Sequence, residues 1–258
     1  MRSRMIVAAA VASGLISACT VTAAPTEAWE PIFDGQSLNG WTPKISGQAL
    51  GQDEHSIFTV EAGELRVSYD GYETFDGEFG HLFFDERLSS YQLRFEYRFA
   101  PERTPGGPDW AYMNSGVMVH SQAPETMRVD QDFPISVEAQ FLGKGPVQPN
   151  RTTANVCTPG TDVVIAGELT KIHCINSETP AFPAGEWVMF EITVQAGELI
   201  RQSINGQEAF LLTTPSFDSR DPDVQRLGLS GNVTDGYISL QAESHALAFR
   251  NIELKRLD

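Results

Sequence analysis

The segment YQLRFEYRF, Tyr91 to Phe99, alternates without a break. Tyr91, Leu93, Phe95, Tyr97 and Phe99 share one parity; Gln92, Arg94, Glu96 and Arg98 share the other. Successive side chains of a strand point to opposite faces, so this stretch predicts a strand with one buried and one solvated face. The same period recurs in SGVMVH (Ser115 to His120), ISVEAQF (Ile135 to Phe141), WVMFEITV (Trp187 to Val194), YISLQAE (Tyr237 to Glu243) and LAFRNIELKRL (Leu247 to Leu257). SIFTVEAGELRVS reads as a hairpin turning near Ala62-Gly63, and LIRQSINGQEAFLLTT as one turning at Asn205-Gly206. No long segment carries the 3.6-residue period of an amphipathic helix. Many short strands separated by Gly, Asn and Asp turns predict an all-β sandwich or barrel.

The folded part is expected to open on PIFDGQSLNGWT, Pro31 to Thr42. Asp34-Gly35 and Asn39-Gly40 are tight-turn signals, and Phe33, Leu38 and Trp41 are the apolar pins around them. What precedes it reads as a targeting segment. MRSR is a basic n-region, and MIVAAAVASGLI is an apolar run too short for a comfortable membrane span. It leads into ISAC, where Cys19 follows small residues as in a bacterial lipobox; plain cleavage after Ala24 is the alternative. The expected organisation is a signal segment and linker over residues 1–24 and one domain over 25–258. The mature chain is then periplasmic or anchored to the outer membrane, touching a membrane only through the lipid on Cys19.

Export gives Cys157 and Cys174 a meaning, since they are an even pair in an oxidising compartment. A disulfide between them would contribute roughly 3 kcal/mol in the chain-entropy model. A metal site is the alternative, but with only His173 nearby the spacing falls short of four ligands. The surrounding stretch, Gly143 to Pro183, is Pro- and Thr-rich and reads as a long loop tied by that bridge. The chain carries 34 acidic and 18 basic residues, a net charge of -16. That balance argues against nucleic-acid binding and against adsorption to anionic lipid, and leaves neutral ligands such as sugars.

Several strands bear polar residues opposite their core parity. Glu138 and Gln140 flank Ala139; Arg94, Glu96 and Arg98 alternate on another strand; Ser239, Gln241 and Glu243 alternate near the C-terminus. Asn114 precedes Met118 and His120, and Trp110 and Tyr112 sit in a neighbouring loop. On one sheet these groups would pave a surface of acids, amides and aromatic rings, as sugar binding requires. The same alternation also describes an ordinary solvated face. No HExxH, GxSxG, P-loop or dinucleotide-binding fingerprint is present.

IFDGQSLNGW, NSGVMVH, VEAQFLG, GEWVMFEITVQAGELIRQSINGQEAF and GYISLQAESHALAFRNIELKRL occur in that order between Pro31 and Leu257. Together they resemble the 3-keto-disaccharide hydrolase domain family. The resemblance implies a concanavalin-like jelly roll of two antiparallel sheets, with a sugar held on the concave sheet. It implies cleavage of glycosides already oxidised to a ketone at C3. That ketone acidifies the C2 proton, so a base can form the enolate, the C1 oxygen leaves, and water adds back.

Such a site needs a base, an enolate stabiliser and an acid for the leaving group. By the resemblance, Glu138 is base or sugar ligand, and His120 is base or acid, although relatives often carry a long basic residue at its position. Asn114 and Ser115 position the substrate, and Gln140 hydrogen-bonds a hydroxyl. Arg94 or Arg250 stabilises the enolate. Glu96, Trp110, Glu243 and His245 complete the substrate-binding set. A divalent metal held by Glu138, His120 and His245 is the alternative enolate stabiliser. Two other functions remain open at this point: a non-catalytic carbohydrate-binding lipoprotein, and a conventional glycosidase using two carboxylates such as Glu96 and Glu138.

Overall fold

A computed structural model describes residues 28–145 and 149–257. The signal segment and Cys19 lie outside the described residues. All strand pairs are antiparallel and they form two sheets. The larger sheet runs, in spatial order, Glu168–Thr170, Thr161–Ile165, Gln207–Phe217, Leu199–Ile204, Val188–Gln195, Ser90–Arg103, His245–Arg256, Glu64–Val67 and Phe58–Glu61, with Glu30–Pro31 added to His245–Arg256. The smaller runs Cys174–Ile175, Asn155–Cys157, Val137–Leu142, Asn114–Ser121, Tyr237–Ala242, Gly80–Phe84 and Trp41–Ile45. Helix is confined to one α-helix, Pro222–Leu227, and two short 3-10 turns among the described residues. The all-β jelly-roll sandwich of two antiparallel sheets is what the sequence predicts.

The core lies between the sheets and is built from the parity that the sequence marks. Phe95 meets Phe190 and Phe249 of its own sheet and Phe141 of the opposite one, and Tyr97 stacks on Phe141 at 4.4 Å. All five rings are buried. Each fully buried aromatic side chain contributes roughly 1.5–3 kcal/mol. The Tyr97 hydroxyl is not wasted in this core, because it pairs with Thr153 Oγ1 at 3.0 Å.

Both expected hairpins form. Asn205 and Gly206 take φ of 50° and 77°, the geometry a two-residue turn needs to match strand twist. The opening phrase also folds as read: Asp34 accepts from the Gln36 and Ser37 amides, and Trp41 Nε1 donates to Ile32 O at 2.8 Å. The segment expected as one long loop is more ordered than its composition suggests. It contains the strands Asn155–Cys157, Thr161–Ile165, Glu168–Thr170 and Cys174–Ile175. The disulfide between Cys157 and Cys174 is present, and it joins directly paired residues of the edge strand Cys174–Ile175 and its neighbour Asn155–Cys157 in the smaller sheet.

Candidate active site

The inward parity of the larger sheet turns Arg94, Glu96 and Arg250 to its outer face. There Arg94 pairs with Glu253 at 2.7 Å and lies over Trp29, while Arg250 pairs with Glu96 at 2.9 Å and lies over Trp187. The Arg250 guanidinium holds the Glu96 carboxyl below the usual range. The whole core separates this lattice from the smaller sheet. Arg94 and Glu96, expected to bind substrate, Arg94 or Arg250, expected to stabilise the enolate, and the alternative Glu96–Glu138 carboxylate pair are therefore not brought to the smaller sheet: alternation identifies an outer face but not the sheet it belongs to.

The outer face of the smaller sheet is different in kind. Register aligns Lys44 with His81 and His81 with Gln241. It aligns Gly116 with Gln140 and Gln140 with Asn155, and in the adjoining row Ser239 with Met118, Met118 with Glu138 and Glu138 with Cys157. These polar residues are nearly all buried. Both nitrogens of His81, both side-chain polar atoms of Gln241, Ser239 Oγ, Asn114 Oδ1, Glu138 Oε1 and Glu243 Oε2 are buried without a hydrogen-bond partner. A buried polar group left unpaired costs about 1–3 kcal/mol. Such a concentration on one face marks a surface built to be satisfied by water or by a ligand rich in hydroxyl groups.

A cavity of about 340 Å³ opens on this face. Glu138 and Glu243 line it together with Asn114, Gln140, Trp110 and Phe133, and the Cys157–Cys174 disulfide and His173 form one wall. A second space of about 550 Å³ shares Trp110 and Gln140 with it and extends to Arg151, Asn150 and Asn176. Trp110, which is 54% exposed, thus stands at the seam as an aromatic platform. Phe79 supports it from behind at 5.7 Å, and Phe133 packs on Phe79 at 5.3 Å.

Glu138 and Glu243 are 5% and 4% exposed. Burial pushes the Glu138 carboxyl up to about 8; the Gln241 side chain beside it partly offsets this, although no hydrogen bond of standard geometry joins them. Burial also raises Glu243 well above the ordinary carboxylate range, and the neighbouring charge of Glu138 raises it further. Two carboxyls so placed do not readily ionise together, so the pair favours holding a single charge with one proton kept between them. Arg151 is the opposing charge on Glu243. Its guanidinium donates to the Tyr112 carbonyl, and its Nε is buried with no partner.

Of the residues predicted from sequence, Glu138, Glu243, Asn114, Gln140, Trp110, Cys157 and Cys174 come together at this cavity. Ser115 does not, because it has the core parity, and its Oγ donates to the Gln241 carbonyl at 2.8 Å. His120 is turned away by a bulge. The register slips between Tyr237 and Ser239, His120 adopts φ of 51°, and its Nε2 meets the Ala196 carbonyl. His245 lies beyond the Glu243-Ser244 turn, bonded to the Ala100 carbonyl at 2.9 Å, with Tyr112 packed against its ring in a T-shaped arrangement. Glu138, His120 and His245 therefore do not converge as a metal-binding set, and no group of three His, Cys, Asp or Glu side chains among the described residues is arranged to hold a metal. His81, Phe133 and Arg151 were not singled out from sequence. Gln241 carries the alternation signal; His81, in the uniformly buried strand GHLFF, and Arg151, in a loop, carry none.

Fold and site together define a jelly-roll protein with a buried acid pair in a polar, aromatic-rimmed cavity. The model of the 3-keto-alpha-glucoside-1,2-lyase-like domain matches residues 28–255, and the chain belongs to that family. It is 25% identical over 248 residues to a 3-keto-disaccharide hydrolase from Bacteroides thetaiotaomicron, spanning 88% of this chain and 78% of that protein. Two solved structures share the fold. A candidate glycosyl hydrolase from Parabacteroides distasonis superposes with a TM-score of 0.52 at 19% identity, covering 89% of this chain and 94% of that one. A protein of unknown function with a galectin-like fold from Bacillus subtilis superposes with a TM-score of 0.54 at 10% identity, covering 89% and 94%.

Proposed function

We propose that the protein is an exported enzyme that cleaves 3-keto-glycosides by elimination followed by hydration, a net hydrolysis. The observation that carries this reading is the buried pair of Glu138 and Glu243 in one cavity, both with raised proton affinity. Membership of the 3-keto-alpha-glucoside-1,2-lyase-like family supports the substrate class.

Glu138, ionised, takes the C2 proton, and the electrons of that bond move toward the C3 carbonyl oxygen. Arg151 supplies positive charge beside the acid pair, and Asn114 and Gln140 hold the sugar hydroxyls. The enolate collapses with expulsion of the C1 oxygen, which receives the proton of Glu243. The product is an enone with a C1–C2 double bond. Water then adds at C1, giving a proton to Glu243, and Glu138, whose proton exchanges with solvent through the open cavity while the enone is bound, protonates C2. Both carboxyls end as they began, and atoms and charge balance.

The same reading places the protein outside the cytoplasm, tethered by lipid on Cys19; the support is the basic n-region, the short apolar run and the small residues before that cysteine. The test of the reaction is incubation of the purified protein with a 3-keto-glucoside and with its unoxidised parent, each with and without divalent cations. Release of free sugar from the keto compound alone supports it. Equal release from the parent would replace it with a conventional glycosidase, and binding without release would leave a carbohydrate-binding protein.

A further inference from the structure

A separate cavity of about 510 Å³ lies at the other end of the strand Asn114–Ser121. Asn114 borders the acid-pair cavity, whereas His120 and Ser121 border this one. At about 3.3 Å per residue the two are roughly 20 Å apart along the strand. The rest of the wall includes Asn232, Tyr237, Phe217 and Leu229.

The backbone here is held in an unfavourable form. His120 has φ of 51°, and Gly236 packs so closely that a Cβ there would lie 2.5 Å from the His120 carbonyl carbon. A non-glycine residue in such a region is disfavoured and persists only where the surroundings enforce it. The consequence is a defined ring orientation. The Ala196 carbonyl can only accept, so His120 Nε2 carries the hydrogen. Burial disfavours the charged ring, so Nδ1 is left as a bare acceptor. That atom and the adjacent Ser121 Oγ are both buried and unpartnered.

The charges at this cavity do not select an ion. Arg87 is paired with Asp235 at 2.5 Å, which leaves Glu125 as the uncompensated charge and disfavours an anion. An acceptor nitrogen, a hydroxyl and an amide beside Phe217, Leu229 and Tyr237 suit a neutral ligand with hydroxyl donors on its edge and C–H groups on its faces. We propose that this cavity is a second saccharide-binding site, in which a sugar hydroxyl donates to His120 Nδ1 and a second hydrogen-bonds Ser121 Oγ. It lies apart from the acid pair and holds sugar without cleaving it.

The test is a titration of the purified protein with methyl α-D-glucopyranoside, followed by the imidazole resonances of His120. The account expects a saturable shift of the Nδ1 signal. Ala123→Trp, which fills the cavity from its rim, should abolish the shift. Asn232→Ala, a milder change at an exposed wall residue, should weaken the apparent affinity several-fold, and it decides the matter if Ala123→Trp does not fold. A His120 signal that never moves, or a shift undiminished in the folded variants, would overturn the proposal. The readout needs no turnover, so its failure leaves the reading of the Glu138 cavity untouched.

Discussion

Gly116 lies directly beneath the carboxylate of Glu138: a Cβ at position 116 would come 2.8 Å from Glu138 Oε1 and 2.9 Å from the Ala139 carbonyl. The absent side chain is what lets Glu138 lie across the sheet. Gly116→Ala should therefore displace the carboxylate and lower kcat by about tenfold or more, with an overpacking cost of about 1–3 kcal/mol. Steady-state kinetics and a melting curve on the same sample check both. Unchanged kcat would show that the position of Glu138 does not limit the reaction.

Glu138 carries the second prediction. Replacing it with Gln removes the base and should reduce turnover by about 10²- to 10⁴-fold while the fold persists. In the wild type kcat/KM should rise with pH toward an apparent value of about 8, as Glu138 becomes ionised. A profile flat through that range would remove Glu138 from the base role.

Stability should move the opposite way. The folded-state value of Glu138 is raised from 4.5 to about 8, so the folded chain binds this proton more tightly than the unfolded chain does. The associated stability is fully present below pH 4.5 and is lost as pH rises toward 8. Glu243 is shifted in the same direction and adds to the loss. Glu138→Gln should flatten part of this slope, so its melting temperature should gain on the wild type as pH increases. Parallel melting curves of the two proteins across that range measure it, and a constant difference would contradict it.

The disulfide closes a separation of 17 residues and lines the cavity next to Glu138. Cys157→Ser with Cys174→Ser should cost about 2–4 kcal/mol, or roughly 4–16 °C in melting temperature for a domain of this size. KM should rise as well, because the wall of the cavity loosens. A lower melting temperature with unchanged KM would confine the bridge to stability.

Trp110 is exposed at the seam of the two spaces, so its removal should leave the fold alone. Trp110→Ala should raise KM about tenfold with kcat nearly kept, the loss expected for one aromatic stacking platform. Loss of kcat without a change in KM would place Trp110 elsewhere in the mechanism.

What was legible in the sequence is what a strict period of two encodes. Phe95, Tyr97, Phe190 and Phe141 fall on the core side as their parity demands, and Glu138 and Gln140 fall on the other. Parity does not say which of two sheets owns an outer face, and so Arg94 and Glu96 read like Glu138 although they face away from it. Nor does it survive a bulge: the slip beside Tyr237 carries His120 out of the row that Met118 predicts. Arg151 reaches the acid pair from a loop, and loops carry no period to read.

The central claim is that C2 loses its proton before the glycosidic bond breaks. Cleavage of a 3-keto-glucoside in deuterated water, with the released keto sugar examined by mass spectrometry and NMR, tests it most directly. The account predicts deuterium at C2 of the product at early conversion, above the exchange of uncleaved substrate without enzyme, with release and label both cut by about 10²- to 10⁴-fold in Glu138→Gln. Product that retains its original C2 hydrogen while the bond is cleaved would contradict it.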